Sequence, residues 1–284
     1  MCGTAIVTPF KEDGTINFNE FERIIDFQIE NGVNAIVVCG TTGESATLSF
    51  EEKKELIKFC VDKVGKRIPV IAGVGSNNTK SVLENEKMAE ILGVDGLLVV
   101  TPYYNKTTQS GLIEHFKMVA ENTSLPIILY NVPSRTGVDI APNTYLKLSK
   151  IENIVATKEA SGDISKVLKI RSLCEDSLVV YSGNDDQIVP ILSLGGSGVI
   201  SVLSNIKPAF TVQMVKEYWK GNIEKASDLQ LEASKLIDLL FKEVNPIPIK
   251  EAMNIIGFKC GIPRLPLIEC SSELKKELGL ILEG

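Results

Sequence analysis

Eight short apolar runs, each followed by a stretch of helical periodicity, constrain the fold of this chain more than any other feature. The runs are GTAIVTPF from Gly3, AIVVCGTT from Ala35, PVIAGVG from Pro69, GLLVVTPYY from Gly96, PIILYNVP from Pro126, IVATKEAS from Ile154, LVVYSGND from Leu178 and GVISVLSN from Gly198. They are rich in β-branched residues and show little polar alternation, the pattern of strands covered on both faces. Amphipathic segments such as FNEFERIIDFQIEN and SFEEKKELIKFCVDKVG separate them; in the second, Ser49 is placed to cap the helix and Glu52 to complete a capping box. Each separating segment is long enough to cross back over a sheet, so the strands are expected to pair in parallel. Eight such units close an α/β fold of the (β/α)8 TIM barrel type, with a doubly wound open sheet as the alternative. From Asn222 onward only helical patterns follow. The 284-residue chain is therefore read as a barrel over residues 1–221 and a C-terminal helical appendage over residues 222–284, which caps the barrel or builds an oligomer contact.

Charge and composition narrow the function classes. A net charge of −6, with both signs scattered along the chain, argues against nucleic-acid and acidic-membrane partners, which need basic patches. No stretch approaches the ~18 consecutive apolar residues of a membrane span. The N-terminus opens on a strand-like segment rather than a charged and then apolar leader, so a cytoplasmic location is expected. Cys2, Cys39, Cys60, Cys174, Cys260 and Cys270 form no C-x-x-C pair and mostly occupy apolar segments, as buried thiols of a reducing compartment do.

In a barrel, the loops after the strands carry chemistry and those before them carry stability. The unusual residues follow strands: Gly40-Thr41-Thr42-Gly43-Glu44, Tyr103-Tyr104-Asn105, Tyr130-Asn131, Lys158-Glu159 and Ser182-Gly183-Asn184-Asp185. SLGGSG, from Ser193, precedes its strand and reads as a turn. The eighth strand lacks a following glycine-rich anion loop, so a phosphorylated substrate is not expected. Lys158 shares strand parity with Ile154 and Ala156 and points away from water. A buried ammonium must be paired or give up its proton, which a fold tolerates where an amine nucleophile is needed. The bland alternative is a surface lysine at a strand end. GTTGE is either a tight turn or a cradle of backbone N–H groups and hydroxyls for a carboxylate. Tyr130 is either a core aromatic or a proton shuttle beside the amine. Arg135, in NVPSRTG, is either solvated or a fork for a second carboxylate.

A single histidine, His115, excludes histidine-cluster metal sites and reads as structural or solvent-facing. GVGSNN lacks the third glycine of a dinucleotide fingerprint. Amine catalysis without a cofactor is what remains.

The ordered set CGTTGE, VTPYYNK, YNVPSRTG, KEASGD and SGNDD followed by GGSGVISV resembles the pyruvate-dependent class I aldolase family of barrels over essentially the whole chain. Within that family it is similar to the branch that condenses pyruvate with aspartate 4-semialdehyde in the diaminopimelate route to lysine. The resemblance implies a Schiff base on Lys158, with Tyr130 as proton shuttle and Thr41 and Tyr104 completing a relay. Tyr104 is then supplied by a neighbouring subunit of a homotetramer built as a dimer of dimers. It further implies that Thr42 holds the pyruvate carboxylate, that Arg135 holds that of the semialdehyde, and that Gly183 and Ile200 line the pocket with backbone. Relatives acting on sialic acid or keto-deoxy sugar acids share the lysine and the tyrosine, and retro-aldol cleavage of such a sugar acid stays open as a second reading. A non-catalytic keto-acid sensor is a third. At the positions where lysine-inhibited relatives bind lysine, Asn77, Ser45 and Ala46 match, but Phe50 and Lys53 stand where some members carry histidine, and Ser81 replaces a glutamate. Weak or absent inhibition by lysine is expected.

Overall fold

The structure, a computed structural model, describes residues 1–283. Each of the eight apolar runs coincides with a strand, the first of which begins one residue before its run: β1 (Cys2–Ala5), β2 (Ala35–Val38), β3 (Val70–Gly73), β4 (Gly96–Val100), β5 (Ile127–Asn131), β6 (Ile154–Glu159), β7 (Val179–Ser182) and β8 (Gly198–Ser201). They form a closed barrel in sequence order, and the pairs β1–β2 and β3–β4 through β7–β8 run parallel. The open-sheet alternative is thereby excluded. Each strand stops short of the end of its run. In GLLVVTPYY pairing ends at Val100, and the remaining residues enter the loop where the polar side chains gather.

The crossovers are α1 (Phe18–Glu30), α2 (Phe50–Val64), α3 (Thr79–Ile91), α4 (Gln109–Glu121), the short α5 (Pro133–Thr136), α6 (Pro142–Leu148), α7 (Ile164–Cys174), α8 (Ile188–Ser193) and α9 (Pro208–Trp219). Beyond them lie α10 (Ile223–Phe241), α11 (Ile247–Ile255) and α12 (Ser272–Glu283). Local chemistry explains several boundaries. Ser49 accepts from the Glu52 amide while the Glu52 carboxylate accepts from the Ser49 amide, the capping box expected from sequence, and α2 ends at Gly65 in the left-handed region. Among the described residues, no helix is long and apolar enough to cross a membrane.

Contacts gather the chain into two compact units, one of residues 1–70 with 201–284 and the other of residues 71–200. The core of the first includes Phe21, Ile24, Ile36, Leu56 and Ile57, joined by Leu240 and Met253 from the C-terminal helices. The core of the second includes Leu97, Leu112, Phe116, Tyr145, Ile170 and Val180. The six cysteines are buried and free, and burial pushes the Cys39 thiol up to about 12.

β6 departs from regular pairing. Ile127 pairs with Ile154 but Ile128 pairs with Ala156, so Val155 is an inserted, unpaired residue, 38% exposed in a strand otherwise buried. The parity that places Lys158 with Ala156 holds, whereas Ile154 lies across the bulge.

Two buried ionisable groups sit in the α3–α4 layer. His115 Nδ1 is 2.9 Å from the Thr79 hydroxyl, and burial pushes the imidazole down to about 4. On α3, burial and then the neighbouring Glu90 charge push Glu86 up to about 7. Because the folded pKa of Glu86 lies above its ordinary 4.5, the folded protein holds the proton more tightly. Its contribution to stability is present below that window and is lost as pH rises toward 7. Glu86→Gln is expected to be more stable than the parent at pH 8, with the difference disappearing near pH 4.5, in urea melts at the two pH values.

Candidate active site

The register between β5 and β6 sets Tyr130 directly opposite Lys158 and Asn131 directly opposite Glu159. Side chains alternate along a strand, so the two pairs occupy opposite faces. On one face the Lys158 Nζ lies 4.5 Å from the centroid of the Tyr130 ring, the two residues being 4% and 6% exposed. An aromatic face can hold a lysine ammonium without neutralising it, as a carboxylate partner would. The amine and the phenol are therefore neighbours by construction.

The other face is a polar lock. Asn131 Nδ2 donates to both Glu159 oxygens at 3.0 and 3.2 Å and to Asp139 Oδ1 at 2.8 Å. Glu159 also accepts from the Tyr145 hydroxyl on α6 at 2.8 Å and from the Ser161 amide at 2.8 Å. Lys166, on α7, forms an ion pair with Asp139. Burial, reinforced by the Glu159 charge, raises the Tyr145 pKa well above its ordinary value and keeps that hydroxyl a donor. Each buried oxygen of Glu159 thus has partners, which a carboxylate behind a strand requires.

β7 completes this side of the site. Lys158 pairs with Tyr181 and Glu159 with Ser182, and the Gly183 amide donates to the Glu159 carbonyl at 2.8 Å. A Cβ on Gly183 would come within 2.7 Å of the Ala160 Cβ and 3.1 Å of the Lys158 Cγ. Glycine at 183 leaves the lysine stem its space.

In the unit formed by residues 1–70 and 201–284, the GTTGE loop follows β2. The Glu44 amide closes a turn on the Thr41 carbonyl at 3.0 Å, and Thr8 Oγ1 donates to the Gly43 carbonyl at 2.7 Å. A Cβ on Gly43 would meet the Ile6 carbonyl oxygen at 3.1 Å. Thr42 is buried, and its Oγ1 accepts from Asn245 Nδ2 at 3.0 Å. Glu44, at φ 55°, is a non-glycine residue in the left-handed region. Its carboxylate is fully engaged, Oε1 with Lys250 Nζ at 2.8 Å and Oε2 with the Arg264 amide at 2.9 Å. The Lys250 ammonium also donates to the Ile262 carbonyl at 3.1 Å and lies 4.2 Å from the Phe10 ring centroid. Desolvation lowers the Lys250 pKa, opposed by the Glu44 charge.

Of the residues singled out from sequence, Lys158, Tyr130 and Gly183 form one cluster. Thr41 and Thr42 lie in the loop after β2, Ile200 is fully buried in β8, and Arg135 is exposed on α5. Tyr104, in the loop after β4, is 90% exposed with φ 69°, a strained conformation for a tyrosine. Sequence reasoning singled out Asn131 and Glu159 but missed their pairing with each other across β5 and β6, and it missed Tyr145 behind the strand and Tyr181 opposite the lysine. Counting strand register from Lys158 is the signal that reaches Tyr181.

The sequence profile of the dihydrodipicolinate synthetase family matches residues 2–284. The chain belongs to that family. A 4-hydroxy-tetrahydrodipicolinate synthase of Caldicellulosiruptor saccharolyticus is 55% identical over 280 residues, covering 97% of this chain and 95% of the relative. The 4-hydroxy-tetrahydrodipicolinate synthase 1 of Clostridium acetobutylicum is 57% identical over 271 residues, covering 95% of this chain and 92% of the relative. Among solved structures, dihydrodipicolinate synthase from Thermotoga maritima superimposes with a TM-score of 0.97 at 44% identity, covering 99% of this chain and 97% of that one. The family's barrel and helical tail therefore correspond to the elements described above over nearly their full length.

Removing the Lys250 charge leaves the Glu44 carboxylate buried without its counter-ion. Lys250→Met is expected to destabilise the protein by about 3–5 kcal/mol. Adding Glu44→Gln should recover part of the loss, as measured by urea denaturation of the single and double variants.

Proposed function

We propose that the protein condenses pyruvate with L-aspartate 4-semialdehyde, through an imine on Lys158, to give 4-hydroxy-tetrahydrodipicolinate in diaminopimelate and lysine biosynthesis. It is a lyase of the class I aldolase type, as its full-length relatives at 55% identity and above are. The observation that carries the mechanism is the buried Lys158 amine held 4.5 Å from the Tyr130 ring by the β5–β6 register.

Lys158 Nζ, as the free amine, adds to the keto carbon of pyruvate, and loss of water leaves a protonated imine. The cationic nitrogen draws electrons from the adjacent carbon, so the methyl group loses a proton and an enamine forms. The enamine carbon adds to the aldehyde carbon of the semialdehyde, whose oxygen takes up a proton. The amino group of the second substrate then attacks the imine carbon, the ring closes, and Lys158 leaves as the free amine. Tyr130 moves protons in these steps, with Thr41 and Tyr104 completing the relay. Tyr104 serves a neighbouring subunit of a homotetramer arranged as a dimer of dimers, a role its exposed and strained backbone position supports. Thr42 holds the pyruvate carboxylate and Arg135 that of the semialdehyde, while Gly183 and Ile200 line the pocket with backbone. The barrel of residues 1–221 houses this chemistry, residues 222–284 support it, and the enzyme works in the cytoplasm without a cofactor.

Reduction with borohydride in the presence of pyruvate should fix one pyruvyl adduct on Lys158, read by intact mass and peptide mapping. Lys158→Ala should show none and lose at least ~1000-fold in kcat, as removal of a covalent nucleophile does. Bound pyruvate that leaves no adduct on the wild-type chain would overturn the imine.

The enzyme is also proposed to be weakly inhibited by lysine or not at all. Ser81 supplies no carboxylate to the ligand's ammonium, and Lys53 adds a positive charge. Activity should be largely retained at millimolar lysine; half-inhibition in the micromolar range refutes the proposal.

A further inference from the structure

The C-terminal helical region reaches the GTTGE loop with side chains that the proposed chemistry does not use. Asn245 lies between α10 and α11, and its Nδ2 donates to Thr42 Oγ1, a partner 203 positions away in the chain. Both residues are buried, Thr42 to 1% exposure. The direction of this hydrogen bond has a chemical consequence. A hydroxyl has one proton and two lone pairs. Asn245 occupies a lone pair, so the Thr42 proton must point elsewhere, and a buried O–H needs an acceptor. The remainder of the loop is fixed by the same region of the chain. Lys250 Nζ and the Arg264 amide take the two oxygens of Glu44, and Arg264 Nη1 donates to the Thr47 carbonyl at 3.0 Å. These contacts hold the loop that carries Thr42 from its C-terminal side.

We propose that Asn245 is a positioning residue that fixes Thr42 as a hydrogen-bond donor, aiming its hydroxyl proton at the carboxylate of the keto-acid substrate. This inference rests on the reading above in which Thr42 holds pyruvate. It gives the helical region after the barrel a defined part in substrate recognition: preorganisation of one donor before the anion arrives. A hydroxyl already oriented loses no rotational freedom on binding, and a competing acceptor at that position would hold its proton away from the substrate.

The test compares wild type with Asn245→Ala and Asn245→Asp. The readout is the pyruvate concentration that gives half of the maximal borohydride-trapped adduct on Lys158, together with kcat and the KM for each substrate. Asn245→Ala frees the hydroxyl and should raise the half-saturating pyruvate concentration roughly 10-fold, the scale of one hydrogen bond to a charged group. The nearly isosteric Asn245→Asp introduces a carboxylate that accepts the Thr42 proton, and should raise it further, toward roughly 100-fold. The KM for the semialdehyde and kcat at saturating pyruvate should change by less than about 3-fold in both. A purely structural role predicts the reverse order, with the isosteric variant closer to wild type than the truncation. That order, or constants for both substrates rising together, overturns the proposal. Thermal melts establish that each variant is folded. If Asn245→Asp does not fold, Asn245→Ser takes its place beside Asn245→Ala, and unchanged pyruvate half-saturation in both overturns the proposal. Absence of any adduct in the wild type instead removes the imine reading, and this inference with it.

Discussion

The parallel register of β5 against β6 is the constraint on which the rest of the site depends. It sets Tyr130 opposite Lys158 on one face and Asn131 opposite Glu159 on the other. A slip of one residue would exchange the faces, exposing the amine to the helix layer and driving a carboxylate toward the barrel. The polar lock formed by Asn131, Glu159, Tyr145 and the Ser161 amide penalises such a slip, since every bond in it would be lost at once. Hydrogen bonds behind the strand thereby hold the geometry in front of it. Gly183 extends the same logic to β7, where any side chain would press on the lysine stem.

A second constraint acts on the loop after β2. Glu44 adopts a left-handed backbone conformation with its carboxylate buried, and each feature alone is costly. Lys250 and the Arg264 amide supply the compensation, and Phe10 lies beneath both cationic side chains, 4.2 Å from Lys250 Nζ and 4.4 Å from Arg264 Cζ. The helical region beyond residue 222 is in this sense a support for the loop that carries Thr42.

Much of this was legible in the sequence. The eight runs mark the eight strands because buried parallel strands must be apolar on both faces, and that composition is local. The capping box at Ser49 and Glu52 was readable because its partners are three residues apart. Lys158 stood out because an amine interrupts an apolar run. Other features left no local trace. The bulge at Val155 is invisible in a string of β-branched residues, and it shortened the parity on which the placement of Lys158 was argued. Asn131 and Glu159 stood out only as polar residues at strand ends, because their pairing with each other across β5 and β6 is not local. Asn245 lies in the linker between α10 and α11 and Lys250 in a segment with plain helical periodicity, and their partners Thr42 and Glu44 are 203 and 206 positions away.

The sequence by itself determined the period, and with it eight parallel strand–helix units, the buried character of the strands and the presence of one amine among apolar residues, while closure of the sheet into a barrel was decided by the tertiary structure. Those properties follow from which residue types can be taken out of water and from the alternation of side chains along a strand. The tertiary structure decided which side chains meet: the phenol beside the amine, the amide that orients a threonine, the ammonium that neutralises a buried glutamate. Such pairings depend on strand register and on contacts between distant segments. They are set by the sum of packing over the whole chain, and no short stretch of sequence contains them.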